Sequence, residues 1–213
     1  MKKLLLAVAL LLAFPAAFAQ TYYPVNDYGV GGGMNHIEFY GGMVLPQQAW
    51  RHDGDRIDLG NTGWTAGLLF YRNLTRVVGL GFDGSYAQFG DGDKMNEGAA
   101  NESFYRTGVA TGLLSMRLIA FPRHSTRIYF PFGVGVGHFF TRERFVDGSH
   151  KTYDCTNLAG MGGIGLEFDA DETVTFGVEG RMYLMSLNNE TKDKFGKGHI
   201  RYFDIIAKLG FRF

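Results

Sequence analysis

Residues 160–165 read GMGGIG and fit the pattern G-x-G-x-x-G. In a dinucleotide-binding unit this pattern follows a buried strand and opens a helix, with an acid about 20 residues further on. Here the flanking residues alternate instead, with Ile164 and Leu166 on one face of a strand and Gly165 and Glu167 on the other. No helical pattern follows. We interpret the glycines as a stretch of strand that is thinned on both faces, not as a phosphate site.

Acidic loop residues offer a second possible chemistry, the binding of a cation. Asp-Gly pairs occur in three polar connections, where glycine accepts positive φ and aspartate caps locally, and we interpret them as turns. One of these loops also offers the hard oxygen ligands that calcium takes. Its spacing misses the ligand and glycine positions of an EF-hand loop, so the sequence predicts no metal site. The loop candidates are Asp91, Asp93, Asn96 and Glu97, and the turn pairs are Asp53-Gly54, Asp91-Gly92 and Asp147-Gly148.

No complete set of catalytic residues is visible. A hydrolase needs a hydroxyl nucleophile, a histidine within hydrogen-bond reach and an orienting acid. His138 stands near the end of an apolar segment without an indicated partner, and we interpret it as an interfacial histidine. Cys155 is the single cysteine and is interpreted as a packed thiol near a strand start. We predict no enzymatic activity and no cofactor.

Charged residues form the main candidate site. They lie on one face of segments that alternate between apolar and polar residues, and this is the face that would point into the interior of a barrel. Four acids nearly balance three bases, and unpaired charges in a narrow interior would be costly, so we expect them to pair. The favoured interpretation is a salt-bridged, water-containing plug that closes and rigidifies a barrel; the alternative is a gated pore in which an Arg or Lys exchanges acidic partners. The candidates are Glu38, Asp83, Arg117, Glu167, Glu179, Arg181 and Lys208.

The elements that would position these residues follow a predicted secretory signal peptide. Two lysines, an apolar run over 4–14 and the small residues Ala17 and Ala19 have the pattern of a leader cut after residue 19. We expect residues 1–19 to be removed, residues 20–33 to form an N-terminal periplasmic segment and residues 34–213 to form one barrel domain. The formal net charge of zero gives no reason to expect nucleic acid as a partner.

Eight segments of the mature chain alternate with period two, which predicts β-strands. Most are longer than the roughly 5 or 6 residues usual in soluble sheets. The connections between them alternate between long and short, as in an up-and-down barrel with extended external loops and tight periplasmic turns. The predicted strands are 34–45, 62–72, 76–88, 104–118, 127–140, 156–168, 173–187 and 200–213.

Alternation by itself leaves open which face points inward, since a soluble ligand-binding barrel turns its apolar face to the interior. Glycines on the charged face leave room in a narrow lumen, and the chain ends on the apolar-face residue Phe213. Aromatic residues near segment ends suit the girdles of a membrane barrel. These features favour an apolar outer face. The glycines are Gly79, Gly81, Gly133, Gly135, Gly137, Gly163 and Gly165, and the girdle candidates are Phe70, Tyr86, Phe168, Phe176 and Phe211.

Two short stretches resemble a known family. The terminal KLGFRF is similar to the C-terminal signature of bacterial outer-membrane proteins, and FPFGVGVGHFF resembles the fifth-strand segment of the small OmpA-, OmpX- and OmpW-type barrels. The resemblance implies an eight-stranded antiparallel up-and-down transmembrane β-barrel in the outer membrane, with both termini periplasmic. It also implies that Phe211 and Phe213 are read by the barrel assembly machinery.

Lipid A deacylases resemble this architecture and carry a His-x-Ser segment that would fall near EGRMYLMS. This chain has Met182 and Leu184 there and no histidine. We therefore predict a non-enzymatic barrel with an envelope-structural or surface-contact role through its long loops. The alternative is a narrow OmpW-like channel for small or apolar solutes.

The expected partners are outer-membrane lipids, lipopolysaccharide and the assembly machinery, and the expected state is a monomer. Basic residues near the loop bases are interpreted as solvated loop charges, with contact to lipopolysaccharide phosphates as the alternative. These residues are Arg51, Arg142, Arg144 and Lys151.

Overall fold

The computed structural model describes residues 33–47, 49–52, 55–58, 61–90, 92–93, 103–122, 125–145, 148–187 and 198–213. The predicted signal peptide lies outside these residues, and the predicted N-terminal segment is described only at Gly33. Within the described part of the chain, no helix has the length and apolar character needed to cross a bilayer.

Eleven strands make up the described secondary structure, because period-two alternation dominates the sequence. Eight of them are long and form the wall of a barrel, whereas β2, β3 and β6 are short pieces within connections. The strands are β1 Asn35–Pro46, β2 Ala49–His52, β3 Asp55–Asp58, β4 Gly63–Asn73, β5 Val78–Gln88, β6 Gly92–Asp93, β7 Ser103–Ala120, β8 Thr126–Phe145, β9 His150–Asp169, β10 Val174–Ser186 and β11 His199–Arg212.

The eight long strands close into a ring in which every neighbour is antiparallel. The order around the ring is β1, β4, β5, β7, β8, β9, β10 and β11, and β1 pairs with β11 to complete it. At the closing seam the backbones of Asn35 and Phe213 exchange two hydrogen bonds of 3.0 Å each. Closure leaves the wall without a free edge. The predicted eight-stranded antiparallel up-and-down barrel is confirmed.

The two ends of the barrel differ in their connections. Short turns at 74–77, 121–125 and 170–173 lie at the same end as the start of β1 and the end of β11. In the last of these turns, backbone N–H groups of Thr173 and Val174 donate to Asp171 and hold the pKa of its carboxyl below the ordinary value. We call this the short-turn end and the opposite one the long-loop end.

One predicted loop is a strand hairpin. The sequence predicts a polar connection between residues 140 and 156, but β8 continues to Phe145 and β9 begins at His150, so that each strand has 20 residues. The prediction was wrong because both faces are polar beyond Phe140, and alternation reveals a strand only where one face is apolar. Gly148 in this hairpin's turn has φ of 83°, the role expected of an Asp-Gly pair.

Two of the other long connections contain short strands in segments that were predicted to be loops. In the first, β2 pairs with β3 around the predicted Asp53-Gly54 turn, whose two residues lie outside the described ones. In the third, β6 adds two residues beside β7. Segments of 2 to 4 residues carry too little alternation to be recognised.

Side chains alternate strictly between the two faces of the wall. On β10, Glu179 and Arg181 are buried inside, whereas Phe176 and Val178 are each 51% exposed on the outside. Exposed apolar residues of this kind lie on seven of the eight long strands, and such a belt requires apolar surroundings, so the soluble-barrel arrangement is excluded. Further belt residues are Phe39, Met43, Leu68, Leu114, Phe132, Val134, Val136, Leu158, Ile164, Leu166, Met182, Leu184, Ile205 and Leu209.

Two inward glycines each allow a tyrosine ring to lie against the wall. Tyr40 on β1 lies over its register partner Gly67 on β4, and Tyr129 on β8 lies over its partner Gly165 on β9. A Cβ atom at either glycine would overlap the ring. Gly165 is the last glycine of GMGGIG, so part of that motif makes room for an aromatic side chain.

The substitution Gly165→Ala is expected to lower the free energy of unfolding by about 1–3 kcal/mol, because the added methyl group displaces the Tyr129 ring. Gly112→Ala on β7 is the matched control, since a Cβ there meets nothing within 4 Å. The measurement is urea unfolding in detergent micelles, read from the folded band on unheated gels. Equal unfolding midpoints for the two variants would contradict this account.

Candidate functional site: the charged barrel interior

All seven charged residues singled out from the sequence lie inside the barrel. None is more than 6% exposed. They come from six strands around the ring. Each side chain points inward because it is separated from most of the other buried residues of its strand by an even number of positions. Their strands are β1 for Glu38, β5 for Asp83, β7 for Arg117, β9 for Glu167, β10 for Glu179 and Arg181, and β11 for Lys208.

Arg181 holds the centre of the network. Its Nη1 donates to Asp83 Oδ2 at 2.8 Å, and its Nε pairs with Glu179. The guanidinium lies 4.3 Å from the centre of the Tyr40 ring, and the Tyr40 hydroxyl donates to Asp83 Oδ1 at 2.5 Å. Three strands separate β5 from β10 in either direction around the ring, so the Asp83–Arg181 pair spans the interior.

Lys208 connects two acids on opposite sides of its own strand. Its Nζ lies 2.8 Å from Glu179 Oε2 and also pairs with Glu38. The Tyr129 hydroxyl donates to the same Glu179 oxygen at 2.6 Å, and Lys208 donates to that hydroxyl at 3.2 Å. The ring that Gly165 accommodates thus carries a hydroxyl group into the network.

Arg117 extends the network toward the short-turn end. It pairs with Glu38 at 3.1 Å and with Glu167 at 2.8 Å. Its guanidinium is sandwiched between two aromatic rings, 4.4 Å from the centre of Tyr71 and 3.8 Å from that of Tyr129. The aromatic faces stabilise this cation in a site with little water.

Three further ion-pair residues complete the short-turn end and are absent from the predicted set. Glu167 accepts from Arg127 at 2.7 Å and from Arg212 at 3.1 Å, and Asp169 pairs with both arginines. Arg127 and Asp169 stand at the predicted ends of their strands, where face assignment is least secure. Alternation already places Arg127 and Arg212 on the inward faces of predicted strands, and extending the strand predicted at 156–168 by one residue would have added Asp169.

His36 packs within this end of the interior. Its ring stacks on Tyr71, with ring centres 4.4 Å apart. Nδ1 lies 2.9 Å from the Tyr71 hydroxyl, and Nε2 lies 2.9 Å from the Asn73 amide nitrogen. The histidine is a hydrogen-bonded part of the interior, and no motif or spacing in the sequence predicted its role.

Asp204 differs from the other interior acids. It is 1% exposed and lies opposite Arg181 in the β10–β11 register. Within the described part of the chain, neither of its carboxylate oxygens forms an ion pair or a well-aligned hydrogen bond, and the side chain of Thr65 is the neighbouring hydroxyl. The Tyr202 hydroxyl and Arg181 Nη2 also lack hydrogen-bond partners there. Asp204 therefore marks the boundary of the paired charges on the side of the long-loop end.

The interior beyond Asp204, toward the long-loop end, contains a large apolar cluster, with buried polar side chains such as Thr107, Thr141 and Glu143 nearer the loops. Tyr183 and Tyr202 stack with ring centres 4.7 Å apart, and Phe89 meets Tyr202 edge-on at 5.5 Å. Cys155 is buried in this cluster, in agreement with the packed thiol predicted from the sequence. A charged, water-containing lumen was expected from the sequence, and the apolar cluster in the long-loop half of the interior was not predicted. The remaining members are Val44, Ala87, Val109, Leu113, Phe139, Ala159, Met161, Met185, Leu187 and Ile200.

The other predicted residues lie away from the interior. Phe211 and Phe213 face outward and are 36% and 65% exposed. Nδ1 of His138 lies 2.8 Å from Thr156 Oγ1 on the outer face, and no carboxylate among the described residues contacts that histidine. The loop candidates Asp91, Asp93, Asn96 and Glu97 lie outside the described residues, apart from the Asp93 backbone in β6.

Comparison with known proteins agrees with this architecture. The family model described as "Outer membrane protein beta-barrel domain" matches residues 6–213. No curated protein sequence matches the chain significantly. Neisserial surface protein A (NspA) is similar in structure, at 11% identity and a TM-score of 0.50, over 85% of this chain and 98% of that one. OprG from Pseudomonas aeruginosa is similar at 15% identity and a TM-score of 0.50, over 88% and 99%.

We expect Asp83→Asn to lower the free energy of unfolding by about 3–5 kcal/mol, because Arg181 would lose its charged partner across the interior. Asp204→Asn is the matched control, since it removes the same charge from an equally buried carboxylate that has no ion pair. That variant should be close to the wild type or more stable. Urea unfolding in lipid vesicles measures both, and an equal loss in the two variants would contradict the assigned pairing.

Proposed function

This chain belongs to the outer membrane protein β-barrel family, and we propose that it is a non-enzymatic barrel whose interior does not conduct. In this proposal the barrel stabilises the bacterial outer membrane, and its long-loop end contacts other surfaces. The short-turn end, with both termini, faces the periplasm, since outer-membrane barrels place tight turns there and longer loops outside. The protein acts as a monomer.

The observation that carries the proposal is the set of ion pairs that crosses the interior. Asp83 and Arg181 meet from opposite walls, and Arg117 reaches Glu38 on a strand separated from its own by β4 and β5. An eight-stranded barrel is narrow enough for side chains to fill it. A solute moving along the axis would have to separate these pairs, and breaking a buried ion pair costs several kcal/mol.

The long-loop half supports the same conclusion by a different contact. Aromatic and aliphatic side chains from several strands pack against one another there, and the stacked rings of Tyr183 and Tyr202 lie directly above Asp204 in the order of β11 and its neighbour β10. Ions entering from this end would lose their hydration in an apolar environment, which is unfavourable. The two halves therefore oppose ion passage by different means.

The C-terminal phenylalanines supply the proposed assembly signal. Both Phe211 and Phe213 face outward beside the seam between β1 and β11. An aromatic side chain that projects from the last strand is available to a protein that guides insertion before the seam closes. We assign the barrel assembly machinery as that partner.

A second candidate function is favoured by the apolar half itself. A path for small or apolar solutes needs a lining that favours apolar molecules over ions, and apolar side chains of this kind line the long-loop half. Met161 and Met185 are flexible side chains that can repack around an apolar guest. The ion pairs below would then end the path, so that an apolar solute would have to leave through the wall.

The proposal predicts that the refolded wild type gives no stepwise ion conductance in planar bilayers. Arg181→Ala and Lys208→Ala test the gated alternative, because a pore controlled by exchange of acidic partners should change its conductance when either cation is removed. A wide outer-membrane porin refolded in the same way is the positive control. Steady conductance steps of the wild type, altered in either variant, would overturn the closed interior.

Cys155 reports separately on the apolar half, since it is the only thiol in the chain and is 5% exposed. We expect a water-soluble maleimide to leave it unlabelled in the folded barrel and to label it fully in urea. A Ser186→Cys substitution in the Cys155→Ser background gives an exposed control thiol on β10. Rapid labelling of folded Cys155 that an apolar solute slows would instead support the second candidate.

A further inference from the structure

Three neighbouring strands, β7, β8 and β9, extend beyond the other strands of the wall at the long-loop end. The β5 strand ends opposite Gly108 of β7, and β10 pairs with β9 only up to the Met185–Ala159 pair. Beyond these positions β7, β8 and β9 pair with one another, and the two-residue strand β6 pairs with β7. We call this part the extension; its segments are 103–107, 141–145 and 150–156.

Arginines gather on the outward face of the extension. Arg106 on β7 is the direct register partner of Arg142 on β8, and Arg144 follows on the same face. All three side chains are exposed, and none forms an ion pair with a described residue. Asp154 lies diagonal to Arg142 on this face, as the register partner of Phe140, and it is likewise without an ion pair in the described chain.

The direct opposition of Arg106 and Arg142 calls for a counter-charge. Like charges at paired positions of an antiparallel sheet repel and destabilise the pairing. An anion shared between the two guanidinium groups would remove that repulsion. Arginine is suited to this role because its planar group donates two parallel hydrogen bonds to a phosphate or a carboxylate.

The position of these arginines along the barrel axis indicates which kind of anion they would bind. Directly below them the outward rings of Trp64, Tyr86 and Phe140 form a continuous group, with ring centres 5.5 and 6.1 Å apart. Aromatic girdles lie at the level of lipid head groups. Arg142 is two residues beyond Phe140, which places its Cα about 7 Å further along the strand and, with the tilt of a barrel strand, about 5 Å further from the membrane centre. Charged parts of outer-leaflet lipids lie at this level.

We propose that Arg106, Arg142 and Arg144 bind the phosphate groups of phosphorylated glycolipid in the outer leaflet. The inference rests on the proposed function, which places the long-loop end outside. Arg106, absent from the basic residues picked out in the sequence, contributes the second half of the opposed pair. Bound phosphate would hold the extension against the membrane surface and relieve the repulsion between β7 and β8.

The structure also supplies a control on the same hairpin. Lys151 has the same charge but lies on the inward face of β9, where its Nζ is 5.0 Å from the centre of the Tyr153 ring. Its register partner is Glu143, which is buried. A lysine in this position faces away from the lipid, so it should take no part in phosphate binding.

The experiment compares the wild type, the triple variant Arg106→Gln/Arg142→Gln/Arg144→Gln and the control Lys151→Gln. Each protein is refolded into phosphatidylcholine vesicles with and without lipid A, and the temperature at which the folded gel band disappears is measured across a lipid A titration. Lipid A should raise this temperature for the wild type and the control. Because three charge-assisted contacts to phosphate would be lost, the apparent affinity of the triple variant should be about tenfold weaker, which corresponds to about 1.4 kcal/mol.

A triple variant that retains the wild-type response, or a control that loses it equally, would overturn the proposed site. Refolding into phosphatidylcholine alone shows that the triple variant still forms the barrel. The result is separable from the conductance measurement. If the wild type conducts but the triple variant still loses its lipid A response, the closed interior is wrong and the phosphate site stands.

Discussion

The structure depends on closing a hydrogen-bonded wall around an interior in which charged side chains are buried. Closure through the β1–β11 seam satisfies the backbone of every long strand, and in lipid no other arrangement of strands does so. Strand alternation then sends half of the side chains inward. Charges placed there must find each other across the ring, as Asp83 and Arg181 do.

Small residues decide whether those charges can meet. Tyr40 and Tyr129 reach Asp83 and Glu179 because their rings lie over glycines on neighbouring strands. The same rings cover the guanidinium groups of Arg181 and Arg117. Glycine is thus coupled to the electrostatics of the interior through the aromatic ring that it accommodates.

The interior and the outer surface divide the molecule in different ways. Inside, Asp204 separates paired charges at the short-turn end from an apolar cluster at the long-loop end. Outside, an apolar belt ends at the aromatic group around Tyr86, and the arginines of the extension lie beyond it. In the proposed function, the interior opposes ion passage along the axis, whereas the rim contacts the membrane surface.

Alternation and the long–short pattern of the connections predicted the eight long strands and their antiparallel order. Alternation together with the charges and glycines on one face predicted that residues such as Glu179 and Lys208 point inward, because side-chain direction in a strand follows from position. The sequence did not predict the part of β8 after Phe140 or the part of β9 before Thr156, because both faces are mostly polar there. The predicted set of interior charges also omitted Arg127 and Asp169 at strand ends. Only the tertiary structure decided which charges pair. Partners such as Asp83 and Arg181 are 98 positions apart in the chain, and the ring's curvature brings them together.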